Sequence, residues 1–286
     1  MIIDDDILPD SKWSCFDLEP GENVCPEFAI TVKDTIKDYP KGYKVAITNP
    51  PYLSKNSATR RGLAYPDTKY DDLYKLCLDV MLKNTPYVAA IIPETFITSG
   101  LFHERLYAVI SLTCKMFSDT DCPVCLALFV PKSEAPKSFS LYRINEPLGT
   151  YADLRSGDVK DVLGLAWKFN DPNGEVGIWC VDNTRENSIY FGDGKIIPSD
   201  EIKNTSRSIT RVGGFPDGID FNAFIRHCNE ILDRYRKDTK DVFMASFKGL
   251  RIDGLYRRRL DFATARRIMN LALFETVKEE GGYETN

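Results

Sequence analysis

The sequence predicts an α/β protein whose sheet is followed by a β-rich module and C-terminal helices. Three observations predict it. Short apolar runs alternate with helical periodicity up to Pro131. Polar-punctuated β-type runs then fill the stretch to about residue 217. From Asp220 onward, two segments carry amphipathic helical spacing. The expected organisation is a core over 1–133, a β-rich module over 134–218 and a helical segment over 219–286.

Within the core, Tyr43–Thr48 (YKVAIT) reads as a buried strand running into a loop at Asn49-Pro50-Pro51. Tyr70–Lys83 places Leu73, Leu76, Cys77, Val80 and Met81 at helical spacing. Tyr87–Ile92 (YVAAII) is a second buried strand, stopped by Pro93. Leu101–Ser111 reads as a helix, and Leu112–Phe117 and Val124–Val130 as an antiparallel hairpin at one edge of the sheet, joined by the turn at Ser118–Pro123. In the module, SFSLYRI, GLAWKFN, EVGIWCVD, SIYFGDG and SRSITRV are separated by turn residues, as short strands would be. FNAFIRHCNEILDRYRK and RRLDFATARRIMNLALFETVK are amphipathic helices, and the tail GGYETN reads as frayed.

Composition excludes several classes. A chain of 286 residues with 43% hydrophobic and 28% charged content is that of a globular protein. No apolar run reaches membrane-spanning length, and the acidic start MIIDDDILPD is no secretory n-region. The eight cysteines are scattered, so free thiols in a reducing cytoplasm are expected. The net charge of -5 gives no support to a nucleic-acid role, but it permits local basic faces. Cations cluster at Lys55, Arg60 and Arg61, at Arg207 and Arg211, at Arg251 and Arg257–Arg259, and at Arg266 and Arg267. Cys122 and Cys125 have C-x-x-C spacing but no second pair; with His103 and His227 the only histidines, buried thiols are expected and no metal.

The residues that carry chemistry are Asn49-Pro50-Pro51-Tyr52. They stand at the carboxyl end of a predicted central strand, where open α/β sheets place ligands. The Asn49 side-chain oxygen and the Pro50 carbonyl can both accept from one amino group, and Pro51 has no N–H to compete for that carbonyl. Tyr52 offers a flat stacking face. Such a site holds a planar –NH2 with its lone pair directed at a methyl donor, and two acceptors raise its nucleophilicity by pulling it toward sp3 geometry. Positioning and electrostatics then carry the catalysis, and the methylated nitrogen sheds its proton without a strong base.

Over about residues 43–131 the sequence resembles the gamma-type N6-adenine DNA methyltransferases. The resemblance rests on AITNPPY, on AAIIPETF (Ala89–Phe96) and on KMFSDTDCPVCLALFVP (Lys115–Pro131). It implies a Rossmann-like S-adenosylmethionine-dependent core, followed by a target-recognition module. It also implies a flipped adenine stacked between Tyr52 and Phe117, since N6 inside a duplex is out of reach of methyl transfer. Pro51 would then contact the cofactor, in a restriction–modification setting with double-stranded DNA as partner.

The family's glycine-bearing cofactor loop has no counterpart ahead of Asn49, where Gly21 and Gly42 are isolated. Phe191-Gly192-Asp193-Gly194 follows no parallel strand and reads as a hairpin. The expectation is therefore a core truncated at its N-terminus, or a second chain that supplies the loop, or a site that has lost its cofactor. Phe16-Asp17 and Asp5–Leu8 are the acid-plus-apolar pairs that could meet the methyl donor. Ser54–Gly62, with Lys55, Arg60 and Arg61, reads as a mobile loop or plain surface loop able to touch phosphates; Thr205–Arg211, with Arg207 and Arg211, has similar donors. Two rival functions remain: a non-catalytic DNA-binding or specificity subunit, and a methyltransferase for protein glutamine or RNA guanine, both of which are acceptors for NPP-type loops.

Overall fold

The computed structural model describes residues 13–21, 29–114, 116–117 and 121–281. Asp5–Leu8 and the tail from residue 282 lie outside the described residues. The chain forms two compact units, residues 1–90 and 91–286.

In the first unit, β1 (Cys15–Asp17) pairs in parallel with β2 (Ile30–Val32). The expected strand at YKVAIT is β3 (Val45–Thr48), which ends on the residue before Asn49, but it is neither buried nor central: Val45 and Ile47 are each 54% exposed, and among the described residues β3 is an edge strand paired only with β4. It lies parallel to β4 (Tyr87–Pro93), with Thr48 opposite Ala90. Parallel strands need a long crossover. Here the crossover holds two helices, α1 (Lys55–Arg61) and α2 (Leu73–Asn84). The segment expected to be a loop is helical because Ser54 accepts from the Ser57 amide at 3.2 Å and Gly62 closes the helix at φ 64°. In α2 the buried stripe is Tyr74, Cys77, Leu78 and Leu82, rotated from the expected one.

The second unit corrects two expectations. Leu101–Ser111 is not a helix: Gly100 (φ 72°) and Phe102 (φ 56°) are left-handed, and a single 3-10 turn (His103–Arg105) gives way to β5 (Leu106–Leu112). The β-branched pair Val109 and Ile110 sits well in that strand. The expected strand Leu112–Phe117 is correspondingly not found: Leu112 ends β5, and Thr113, Cys114, Met116 and Phe117 are outside any strand. The hairpin exists, but β6 (Val124–Phe129) pairs with β5, Leu112 facing Val124. Nor does β5 lie at an edge. β7 (Ser140–Arg143) pairs parallel to it and β8 (Glu146–Thr150) pairs antiparallel to β7, giving the order β6-β5-β7-β8 in a mixed sheet.

After α3 (Tyr151–Ser156) come β9 (Lys168–Phe169), β10 (Val176–Trp179), β11 (Tyr190–Asp193) and β12 (Ile209–Gly213). They form one antiparallel sheet in the order β11-β10-β12-β9, at four of the expected β-type runs. Gly192 and Asp193 thus belong to an antiparallel strand, as the hairpin reading of Phe191–Gly194 requires. The expected helices are α4 (Phe221–Thr239) and, after the hairpin β13 (Ala245–Leu250) and β14 (Tyr256–Arg259), α5 (Phe262–Glu280). Asp220 and Asp261 cap the two helices. Asn229 of α4 both accepts from the Phe191 amide and donates to its carbonyl, so its amide group completes the hydrogen bonding at Phe191 on β11.

The basic cluster at 251–259 is not a solvated face. Arg258 is buried and donates to Glu94, just past β4, at 2.8 and 3.3 Å. Glu94 also accepts from Ser111 of β5 at 2.5 Å and from Ser246 of β13. Burial raises the Glu94 carboxyl, but the Arg258 charge and these hydrogen bonds outweigh it and hold it below the usual carboxylate range. Alongside, the fully buried Asp182 receives Arg236 through both oxygens at 2.9 and 2.8 Å. Arg251 is buried as well and donates to Asn187 and Asp253. Such pairs cost desolvation and are held by multiple hydrogen bonds.

Candidate functional site

β3 delivers the chain to Asn49, which is exposed, while Pro50 is buried, Pro51 exposed and Tyr52 half-buried. The Tyr52 hydroxyl donates to the Asn49 side-chain oxygen at 2.7 Å. Tyr52 also meets Tyr74 of α2 edge-to-face, ring centroids 6.3 Å apart. Tyr74 is 2% exposed, so it is a fixed wall against which the Tyr52 ring rests. Tyr52 is therefore positioned by its ring and by its hydroxyl.

The chain just beyond Tyr52 is pinned to the start of α2. Leu73 N–H donates to the Leu53 carbonyl at 3.0 Å and Lys55 N–H to the Asp71 carbonyl at 2.8 Å, an antiparallel bridge centred on Ser54 and Asp72. The α1 cap at Ser54 follows at once. In this way the turn between strand and helix is bonded on its outgoing side, which is what a site that must present fixed acceptors requires. Lys55, Arg60 and Arg61 are exposed on α1, and Arg60 also donates to Ser57 Oγ at 3.3 Å.

On the suggested donor side, Phe16 and Asp17 lie in β1. Phe16 packs edge-on against Tyr43 at 5.9 Å, two residues before β3. Asp17 is exposed and accepts from the Glu19 amide at 2.9 Å. One acid and one ring suit a nucleoside, but a backbone cradle is lacking among the described residues of this unit. Gly21 lies in open space, Gly42 precedes β3 and Gly62 closes α1. The described residues thus fit only part of an S-adenosylmethionine site.

Phe117 belongs to the second unit, half-buried in the connection from β5 to β6. Arg207 is exposed ahead of β12. Arg211 is half-buried and gives its guanidinium to the carbonyls of Gly174 at 2.9 Å and Ile197 at 3.5 Å, so it braces two turns of the antiparallel sheet. Cys125 is buried, and burial pushes its thiol well up, while Cys122 is half-buried. Two residues that the periodicity did not single out are Asp72 and Tyr74. An acid directly before a helical apolar stripe is an N-cap signal, and it was present in YDDLY.

No protein-family model matches the chain, and no curated protein does. Among solved structures it is similar to a chain described as the modification subunit of a type I restriction enzyme from Vibrio vulnificus. The two are 16% identical, covering 42% of this chain and 30% of that one, with a TM-score of 0.30. A class I S-adenosylmethionine-dependent methyltransferase from Listeria monocytogenes is 13% identical, over 41% of this chain and 42% of that one, at 0.31. A chain from a type I restriction–modification system is 18% identical, over 40% and 27%, at 0.27. The chain thus spans less than half the length of each. Likeness at this level assigns neither family nor function. No described helix is long and apolar enough to cross a membrane.

Proposed function

We propose that this protein is a DNA methyltransferase that modifies adenine N6, with S-adenosylmethionine as donor, in a restriction–modification system. The observation that carries the reading is the Asn49–Tyr52 hydrogen bond of 2.7 Å at the carboxyl end of a parallel strand. It holds a carbonyl-type acceptor next to a stacking ring, the two groups an exocyclic amine on a flat base calls for.

In this reading the adenine leaves the duplex and stacks on Tyr52. Asn49 Oδ1 has a second lone pair, so it accepts from N6 while still accepting from Tyr52. The Pro50 carbonyl takes the other N6 hydrogen. S-adenosylmethionine supplies an electrophilic methyl group. The protein's own part is to fix the amine, keep its lone pair uncommitted and stabilise the positive charge that grows on nitrogen as the methyl arrives. Phe16, Asp17 and Pro51 serve the donor, and a second chain that brings a glycine loop would complete the cradle. Lys55, Arg60, Arg61 and Arg207 meet phosphates. Sequence readout falls to the module at 134–218.

The test is mass spectrometry of DNA nucleosides after incubation with the protein and S-adenosylmethionine, alone and with candidate partner chains. N6-methyladenine is the expected product. Methylated guanine or glutamine amide instead would move the assignment to the rival acceptors, and DNA binding with no product in any combination would favour a specificity subunit.

A further inference from the structure

The antiparallel sheet of the second unit has one buried face and one open face. Val176, Ile178, Cys180, Phe191, Thr210 and Val212 fill the buried one, each at most 2% exposed. By alternation, Trp179 of β10 and Tyr190 of β11 stand on the other, directly opposite each other across the strands. Their rings are stacked, with centroids 4.2 Å apart and planes within 8° of parallel. Gly192 lies beneath them. A Cβ there would stand 3.2 Å from the Trp179 ring and 3.5 Å from the Tyr190 ring, so glycine lets both rings lie along the sheet. Trp179 covers one face of the Tyr190 ring, yet Tyr190 is 43% exposed, and β11 is an edge strand of this sheet. The second face of the Tyr190 ring is left to solvent.

Cations without acid partners stand at the same end of the sheet. Of the basic run that closes β14, Arg257 gives its Nε–H to the Asp182 carbonyl and Arg258 is paired with Glu94. Arg259 has no acid within ion-pair distance among the described residues. It stands opposite Val181, two residues beyond Trp179 on the same face. Arg207 is exposed, likewise has no acid partner among the described residues, and lies two residues before Ile209, the β12 neighbour of Trp179. A cross-strand aromatic pair steadies a sheet, but that purpose requires neither an open ring face nor unneutralised cations beside it. A flat, π-rich group on an anionic chain answers both.

We propose that the Trp179–Tyr190 pair is a stacking platform for an unpaired base of single-stranded DNA, with Arg207 and Arg259 meeting its phosphates. A base laid on the open face of Tyr190 continues the stack that Trp179 begins, and the two cations neutralise the strand that carries it. Duplex DNA suits the platform poorly, because its bases are already stacked on one another. The choice of DNA over RNA rests on the proposed function; the platform does not, since it involves neither Asn49 nor a methyl donor.

The experiment follows the fluorescence anisotropy of a labelled single-stranded DNA of about 12 nucleotides as the whole chain binds it, beside the same strand with abasic sites, its duplex and the RNA of that sequence. Wild type should bind the intact strand about tenfold more tightly than the abasic one, and more tightly than the duplex. Tyr190→Leu keeps apolar cover on Trp179 but removes the π-face. It should abolish the difference between intact and abasic strands, with abasic affinity unchanged, whereas Tyr190→Phe should keep that difference. Arg207→Gln and Arg259→Gln should weaken both strands alike and reduce the salt dependence. If wild type binds no strand, or binds intact and abasic strands equally, or the difference survives Tyr190→Leu, the proposal falls. Preference for the RNA overturns the assignment to DNA. Ultraviolet cross-linking of wild type, read by peptide mass spectrometry, decides even where a variant fails to fold: the intact strand should attach to the peptide that carries Tyr190, and attachment only elsewhere overturns the proposal. None of these readouts needs methyl transfer, so failure of the methyltransferase reading is seen separately.

Discussion

The Tyr52 hydroxyl hydrogen lies on the Asn49 side-chain oxygen, 2.7 Å between heavy atoms. This bond fixes which end of the Asn49 amide is the acceptor, because the NH2 end cannot accept from a hydroxyl. Tyr52→Phe keeps the stacking face and removes that constraint. A bond of this kind is worth about 0.5–1.5 kcal/mol. Tyr52→Phe should thus lower kcat for adenine methylation by roughly three- to tenfold with DNA affinity unchanged. Single-turnover methylation and a gel-shift titration check the two halves.

Base extrusion gives a second expectation. With 2-aminopurine at the target position, fluorescence should rise on binding as the probe leaves the stack, and Tyr52→Ala should raise it further because a quenching ring is gone. Tight binding with an unchanged spectrum in both proteins counts against flipping.

The Glu94–Arg258 pair yields a stability prediction. Removing one member strands a buried charge, so Arg258→Met should destabilise by about 3–5 kcal/mol in urea denaturation. The folded-state pKa of Glu94 lies below its usual value. Its stabilisation is thus complete above the unfolded pKa and lost as pH falls through the folded one. Arg258→Met should lose that acid-dependent part, flattening the decline in stability between neutral and acid pH. An equally steep decline in the variant would show that other carboxylates carry it.

His103 works in the same direction for a different reason. Burial lowers its pKa, so the folded state prefers it neutral. Stability at this site is intact above the unfolded value and falls as pH drops below it. His103→Gln should remove the step near pH 6.5, seen as a smaller midpoint difference between about pH 7.5 and 5.5.

Much of this architecture was legible in the sequence where one local signal dominated. The run into Asn-Pro-Pro defined β3, and the repeated apolar faces of α4 and α5 gave both helices. Errors arose where two signals competed. Leu101–Ser111 has apolar residues that suit a helix, but the left-handed residues at 100 and 102 and pairing on both sides of β5 make it a strand. That pairing is non-local, with Ser140–Arg143 on one side, and periodicity does not register it. The site divides the same way. In the candidate site, Asn49 and Tyr52 stood out by residue type, whereas Tyr74, whose ring meets Tyr52 edge-on, depends on the packing of α2. Arg211 and Arg258 looked like surface cations, and what commits them are carbonyl and carboxylate partners far along the chain.

Asn49→Ala is the most direct test of the central claim. Asn49 is exposed beside the strand end, and under the proposed function it acts on the amine at the transition state, so its loss should leave the fold and DNA affinity intact. In an assay where wild type forms N6-methyladenine, with whatever partner chain that requires, Asn49→Ala should form less than about one hundredth as much per unit time, roughly 2.7 kcal/mol in the barrier. A rate within about tenfold of wild type, a difference of only ~1.4 kcal/mol, would contradict the assignment of this loop as the amine-binding site.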